Sequence, residues 1–252
     1  PAAIIFTTGS TGPPKGVLYR HRIFLEQARQ IRDHFQIQPG SVDVSGFPLF
    51  ALFNAAMGTS TIFPRMDATR PAEVDPRNIL DAVEQFQADQ SFGSPALWNT
   101  VSQYCEANDQ NFPTIRRVLT AGAPVPPDLI QTAHAVLDLD GDVFTPYGAT
   151  ESLPVASIAG REVTPGLLNP MHNGAGTCVG VPAPRVRVEL IGITDDPLEA
   201  WSDEYVVGRG EMGEVCVRGP VVTEAYAEDP GATRLAKLRA PDGGVWHRMG
   251  DI

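Results

Sequence analysis

Residues 7–16 read Thr-Thr-Gly-Ser-Thr-Gly-Pro-Pro-Lys-Gly, and their chemistry is that of an anion grip. Thr7, Thr8, Ser10 and Thr11 carry hydroxyls, Gly9 and Gly12 let backbone amides turn inward, and Lys15 adds a compact positive charge suited to phosphate. The spacing is not that of a Walker A loop. Counted from Gly9, that pattern needs Gly where Pro14 stands and Ser or Thr where Gly16 stands. Pro13 and Pro14 also remove amide donors from any such nest. The apolar run at 2–6 reads as a buried strand, and a helix is expected after the loop, the order that phosphate sites favour. A solvent loop rich in Gly and Thr is the plainer alternative.

A second cluster occupies 146–151, at the end of an expected strand, where open α/β sheets bind ligands. Tyr147 offers a flat face for a base, Gly148 permits close backbone approach, and Thr150 and Glu151 offer oxygens to Mg²⁺ and phosphate. A Tyr-Gly turn capped by Thr is the plainer alternative here. Gly208, Gly210 and Gly213 fit G-x-G-x-x-G, but the segment leads into a strand rather than a helix and reads as a turn, not a dinucleotide site. The histidines show no metal-binding spacing, and no Ser-His-Asp set can be assembled.

The elements that must position these groups are legible in the periodicity. Phe24, Leu25, Ala28, Ile31 and Phe35 share one helical face, and Ile79, Leu80, Val83 and Phe86 another. Further helices are expected at 51–57 and 96–105, and after Pro126-Pro127. Short strands at 42–46, 59–63, 115–119 and 142–145 alternate with them. This alternation argues an α/β fold with a largely parallel sheet flanked by helices over 1–175. From Pro154 to Pro184 Pro and Gly are dense, and helical periodicity disappears. Val186, Val188 and Leu190, then Val215 and Val217, alternate with polar residues, so a small β-barrel or β-sheet subdomain is expected over 176–252.

Bulk properties narrow the functions. A formal charge of −11, from 19 basic and 30 acidic residues, argues against a nucleic-acid partner. Cys105, Cys178 and Cys216 are widely spaced with no C-x-x-C pair, which suits reduced thiols in a cytoplasmic protein. No stretch approaches the length of a membrane span. The chain starts on a strand and stops at Ile252, and is read as a fragment.

The loop at 7–16 resembles the [ST]-[ST]-G-[ST]-[ST]-G-x-P-K-G signature of the adenylate-forming superfamily, which includes acyl-CoA ligases, luciferases and peptide-synthetase adenylation domains. The cluster at 147–151 matches that superfamily's Y-G-x-T-E motif. Gly122, Ala123 and Pro124 resemble its adenine-pocket turn, with Ala121 in place of the first Gly. Residues 213–219 resemble its G-E strand, and residues 246–251 its ribose-binding segment, with Met249 where Thr is usual. The resemblance implies ATP and Mg²⁺ as cofactors and a small-molecule carboxylic acid with a long acyl chain as substrate. It implies catalytic roles for Lys15, Thr150 and Glu151. Glu151 would hold the metal, and Asp251 the ribose hydroxyls. The catalytic lysine of a C-terminal lid would lie beyond Ile252.

Two details narrow the branch. Ala51 stands where many thioester-forming members place His. The segments 47–53, 63–67, 69–71, 92–95 and 147–155 resemble the β-lactone synthetases of bacterial long-chain olefin biosynthesis. In that branch a 2-alkyl-3-hydroxy acid is activated by ATP and closed by its own hydroxyl, with no need for coenzyme A. Assembly with other enzymes of such a pathway is an open partner expectation. A fatty-acyl-CoA or acyl-AMP ligase is the alternative product class, and an inactive nucleotide-binding relative the non-enzymatic one.

Overall fold

A computed structural model describes residues 1–7, 13–138, 140–174 and 176–252. In chain order the strands are β1 (Ala3–Phe6), β2 (Gly16–Tyr19), β3 (Val42–Ser45), β4 (Ser60–Ile62), β5 (Gln90–Gly93), β6 (Arg117–Thr120), β7 (Asp142–Ala149), β8 (Ser152–Ala159), β9 (Val181–Pro182), β10 (Arg187–Ile191), β11 (Glu214–Arg218), β12 (Lys237–Arg239) and β13 (Val245–Arg248). The helices are α1 (His21–His34), α2 (Ala51–Met57), α3 (Pro76–Phe86), α4 (Pro95–Ala107), α5 (Pro127–Ala135), α6 (Pro165–His172) and α7 (Pro230–Ala236). They pack as two units, one of Pro1–Gln30, Gly148–Val155 and Pro182–Ile252, the other of Ile31–Tyr147 and Ala156–Val181. The units interleave along the chain, whereas the sequence reading divides it once between 175 and 176.

The second unit carries the expected α/β layers. Its sheet has the order β4-β3-β5-β6-β7-β8-β9, and β4, β3, β5, β6 and β7 pair in parallel. The covering helices start where the sequence caps them. Asp75 accepts from the Arg77 amide ahead of Pro76, and Ser94 accepts from the Leu97 amide ahead of Pro95. Leu97, Trp98, Val101 and Cys105 then fall on one face of α4 and pack with Val118 and Val143 of the sheet.

The first unit contains the β1-β2 hairpin and an antiparallel sheet of order β10-β11-β13-β12. Trp246 stacks on Trp201 at 3.8 Å between ring centroids and closes a core with Ile191, Cys216 and Leu238.

Several expectations are corrected. The run at 2–6 is not a buried strand: among the described residues β1 pairs only with β2, leaving Ile4 50% and Phe6 64% exposed while Ile5 packs inward. Strand alternation forces the split, because successive side chains point to opposite faces. The helix expected after the loop is α1, but a strand not foreseen, β2, comes between the loop and its start at His21. Leu25, 55% exposed, is not on the buried face of α1, which instead presents Ile23, Gln27, Gln30 and Ile31. Helical structure also continues beyond Pro154 as α6 and α7, both opened by a proline that reads locally as a breaker.

Candidate functional site

The loop's base is closed by backbone. The Thr7 amide donates to the Lys15 carbonyl at 3.0 Å, and the Lys15 amide donates to Thr7 Oγ1 at 3.2 Å. Thr8, Gly9, Ser10, Thr11 and Gly12 lie outside the described residues. Lys15 directly precedes β2, and its Nζ sits 5.5 Å from the centroid of the Tyr226 ring.

Tyr226 lies on an irregular segment that two strands hold in place. The segment bridges β2 at Val17↔Tyr226 and β8 at Ser152↔Val222. Leu18 donates its amide to the Ala225 carbonyl, and Ala227 donates to Gly16. The Tyr226 hydroxyl thereby reaches Glu151 and donates to its Oε1 at 2.6 Å. Glu151 is 8% exposed, and its backbone carbonyl accepts from both the amide and the hydroxyl of Thr223, at 2.9 and 3.0 Å. Neighbouring Thr150 is fixed from the other side, where the Tyr19 hydroxyl donates to its carbonyl at 2.7 Å. Lys15, Thr150 and Glu151 are thus assembled within one unit of the fold.

Lys237 completes this cluster. It is 7% exposed, its Nζ donates to Thr223 Oγ1 at 3.2 Å, and it lies 5.8 Å from the Tyr226 ring centroid. Burial pushes its pKa down to about 7, opposed by the charge of Glu151. Burial, then the bond and charge of Glu151, push the Tyr226 phenol well above its usual range, so it stays a proton donor. Tyr19 rises to about 12, chiefly through burial. His247, paired with Lys237 across β12-β13, is held far below its usual range by burial and then by the Lys237 charge, and is neutral. Sequence reasoning missed Tyr226, Thr223 and Lys237. No local signal marked the last, since Lys237 stands between Arg234 and Arg239 as one of several basic residues.

The other candidates are placed separately. Gly148 lies against its own chain, where an added Cβ would come within 2.8 Å of the Ser152 carbonyl oxygen. Asp251 is exposed, and its carbonyl accepts from the Val215 amide of β11 at 2.8 Å. In the second unit Tyr147 is half-buried on β7. Gly122, with φ of +95°, turns the chain after β6 and leaves Ala123 and Pro124 exposed, while Val125 anchors the turn in the core.

Among the described residues no group of three His, Cys, Asp or Glu side chains gathers to hold a metal. A single carboxylate fits Mg²⁺ if the remaining ligands are water and substrate phosphates, the usual arrangement for that ion. No described helix is long and apolar enough to cross a membrane.

The chain belongs to the AMP-binding enzyme family, whose pattern matches residues 1–227. It is 47% identical over 255 aligned residues to an olefin beta-lactone synthetase of Xanthomonas campestris pv. campestris, covering all of this chain and 45% of that protein. It is 46% identical to a protein of the same name from Stenotrophomonas maltophilia, with the same coverage. The chain therefore spans less than half the length of these relatives. Its fold matches the crystal structure of a long-chain-fatty-acid-CoA ligase from Archaeoglobus fulgidus with a TM-score of 0.73 at 19% identity, over 98% of this chain and 47% of that one.

Proposed function

We propose that the chain is the nucleotide-binding part of an enzyme that activates a carboxylic acid with ATP as an acyl adenylate, releasing pyrophosphate. The acid is a 2-alkyl-3-hydroxyalkanoic acid, and the product is a β-lactone formed with release of AMP. The carrying observation is the 47% identity to an olefin beta-lactone synthetase along the whole of this chain. The joining of Lys15, Thr150 and Glu151 within one unit supports it independently.

In this reading Lys15 and the 7–12 loop grip the phosphates, and Glu151, steadied by Tyr226 and Thr223, faces their charge together with Thr150. Mg²⁺ held by Glu151 would offset charge developing at phosphorus. Gly122, Ala123, Pro124 and Tyr147 bind the adenine, Gly148 lets the chain turn close beside it, and Asp251 takes the ribose hydroxyls. The substrate's own 3-hydroxyl then attacks the activated carbonyl, and AMP leaves. Tethering the nucleophile supplies effective concentration that an external acceptor would otherwise have to provide by binding. Ala51 is consistent with this, standing where many thioester-forming relatives carry His.

The test is a product assay with full-length enzyme, ATP and a 2-alkyl-3-hydroxy acid, without coenzyme A. The expected product has the mass of the substrate less one water. Turnover that requires coenzyme A and converts simple fatty acids to thioesters would replace this reading with that of an acyl-CoA ligase.

A further inference from the structure

Glu151 is a buried carboxylate, and among the described residues its side chain accepts one hydrogen bond, from Tyr226. No arginine or lysine forms an ion pair with it among those residues. Buried carboxylates are costly unless their charge is answered nearby. Lys237 is the group that answers it, though it does so at one remove. Its ammonium bonds to Thr223, whose amide and hydroxyl both hold the Glu151 carbonyl, and it lies over the ring whose hydroxyl holds the Glu151 carboxylate. Two routes from one ammonium therefore converge on one residue, through its backbone and through its side chain. Both amino groups in addition approach the Tyr226 ring, Lys15 at 5.5 Å and Lys237 at 5.8 Å from its centroid. Cations near a phenol strengthen it as a donor, so each reinforces the bond to Glu151.

We propose that Lys237 is a positioning residue of the acid-activating site: acting through Thr223 and Tyr226, it holds Glu151 ready before nucleotide and metal arrive. The inference rests on the proposed function, and it assigns work to residues outside every motif that function draws on. In this role Lys237 acts through its neighbours and not on the reacting groups. Its contribution is a fixed carboxylate, which spares the site a reorganisation when the charged ligand binds.

The experiment uses full-length enzyme and measures acid-dependent exchange between ATP and pyrophosphate, the Mg²⁺ concentration for half-maximal rate, and Mg·ATP affinity by calorimetry. Lys237→Met and Tyr226→Phe should each lower exchange roughly 10-fold or more and raise the Mg²⁺ requirement several-fold, as loss of a partner behind a metal ligand does. The KM for the carboxylic acid should change less than twofold. Because Lys237 acts through Tyr226 and Thr223, the double variant should be far less impaired than the product of the two single effects. Thr223 supplies a milder pair. Thr223→Ser keeps the hydroxyl and should retain most activity, whereas the isosteric Thr223→Val leaves the ammonium without its acceptor and should behave like Lys237→Met.

If Lys237→Met fails to fold, the Thr223 pair still decides the matter. Equal activity and equal Mg²⁺ requirement in Thr223→Ser and Thr223→Val would overturn the proposal. So would a Lys237→Met enzyme with wild-type Mg²⁺ dependence, or multiplicative effects in the double variant. Absence of exchange in the wild-type enzyme would instead refute the proposed function, an outcome distinct from wild-type exchange that the variants leave unchanged.

Discussion

Glu151 shows how a surface-loving residue type becomes a fixed tool. Its backbone is tied to Thr223 and its carboxylate to Tyr226, so the protein's own groups fix its position. In full-length enzyme Glu151→Gln should lower the adenylation rate by roughly 100-fold while leaving thermal unfolding nearly unchanged, since the amide keeps the shape and still accepts from Tyr226. Unaltered turnover with ordinary Mg²⁺ dependence would remove Glu151 from the site. Asp43 is a contrasting case in the other unit. Burial pushes its pKa from 3.8 up to about 7, against the hydrogen bond donated by Asn54 at 2.6 Å. An acid whose folded pKa lies above its unfolded value binds more protons when folded. Its stabilising contribution is therefore full below pH 3.8 and is lost as pH rises through about 7. Asp43→Asn should accordingly raise stability at pH 8, by on the order of 2 kcal/mol, and change it little at pH 4. Denaturant melts at the two pH values check this, and an equal shift at both would contradict it.

At the scale of elements, the site depends on strands meeting an irregular segment. The hairpin β1-β2 and the start of β8 both hold the 222–227 segment, and that segment carries Thr223 and Tyr226. Nothing in residues 222–227 has the period of a helix or a strand, so no pattern announces them. The second unit has a comparable close approach at Gly180. Its φ is +81°, and an added Cβ would come within 2.0 Å of the Ser157 carbonyl oxygen on β8. Neither the backbone conformation nor the space admits a side chain. Gly180→Ala should destabilise the chain by at least about 2 kcal/mol, combining left-handed strain with displacement of backbone. A melting temperature within a degree of wild type would show that β8 yields more easily than its contacts imply.

At the scale of the whole molecule, a formal charge of −11 opposes an anionic ligand, so the site must supply positive charge locally or borrow it from a metal. Lys15 and Lys237 both approach one tyrosine ring, at 5.5 and 5.8 Å from its centroid. They do not cancel a triphosphate. Titration of ATP into full-length enzyme should therefore give clearly weaker binding with chelator than with Mg²⁺, by roughly 10-fold or more, and raised salt should narrow the gap. Equal affinity in the two conditions would mean that the protein's own cations suffice.

The alternation of strand and helix and the two motifs at 7–16 and 147–151 were legible in the chain, because each rests on neighbours within a few residues. Ser94 caps α4 and Pro95 opens it whatever the rest of the molecule does. Other features were decided only by packing. The exposure of Ile4 and Phe6 follows from β1 having β2 as its single partner among the described residues, and the partner of a strand is not written in the strand. The continuation of helix into α6 and α7 hid behind prolines that serve as first-turn residues, a role set by what precedes them in space as well as in sequence. The placing of Tyr226 and Lys237 beside Glu151 joins positions 75 and 86 residues apart through contacts that follow no period. Local preferences are short-ranged and repeat along the chain, so a reader of the chain can see them. A buried charge finds its partner only when distant segments are folded against one another, and the cost of leaving it unanswered then selects the arrangement.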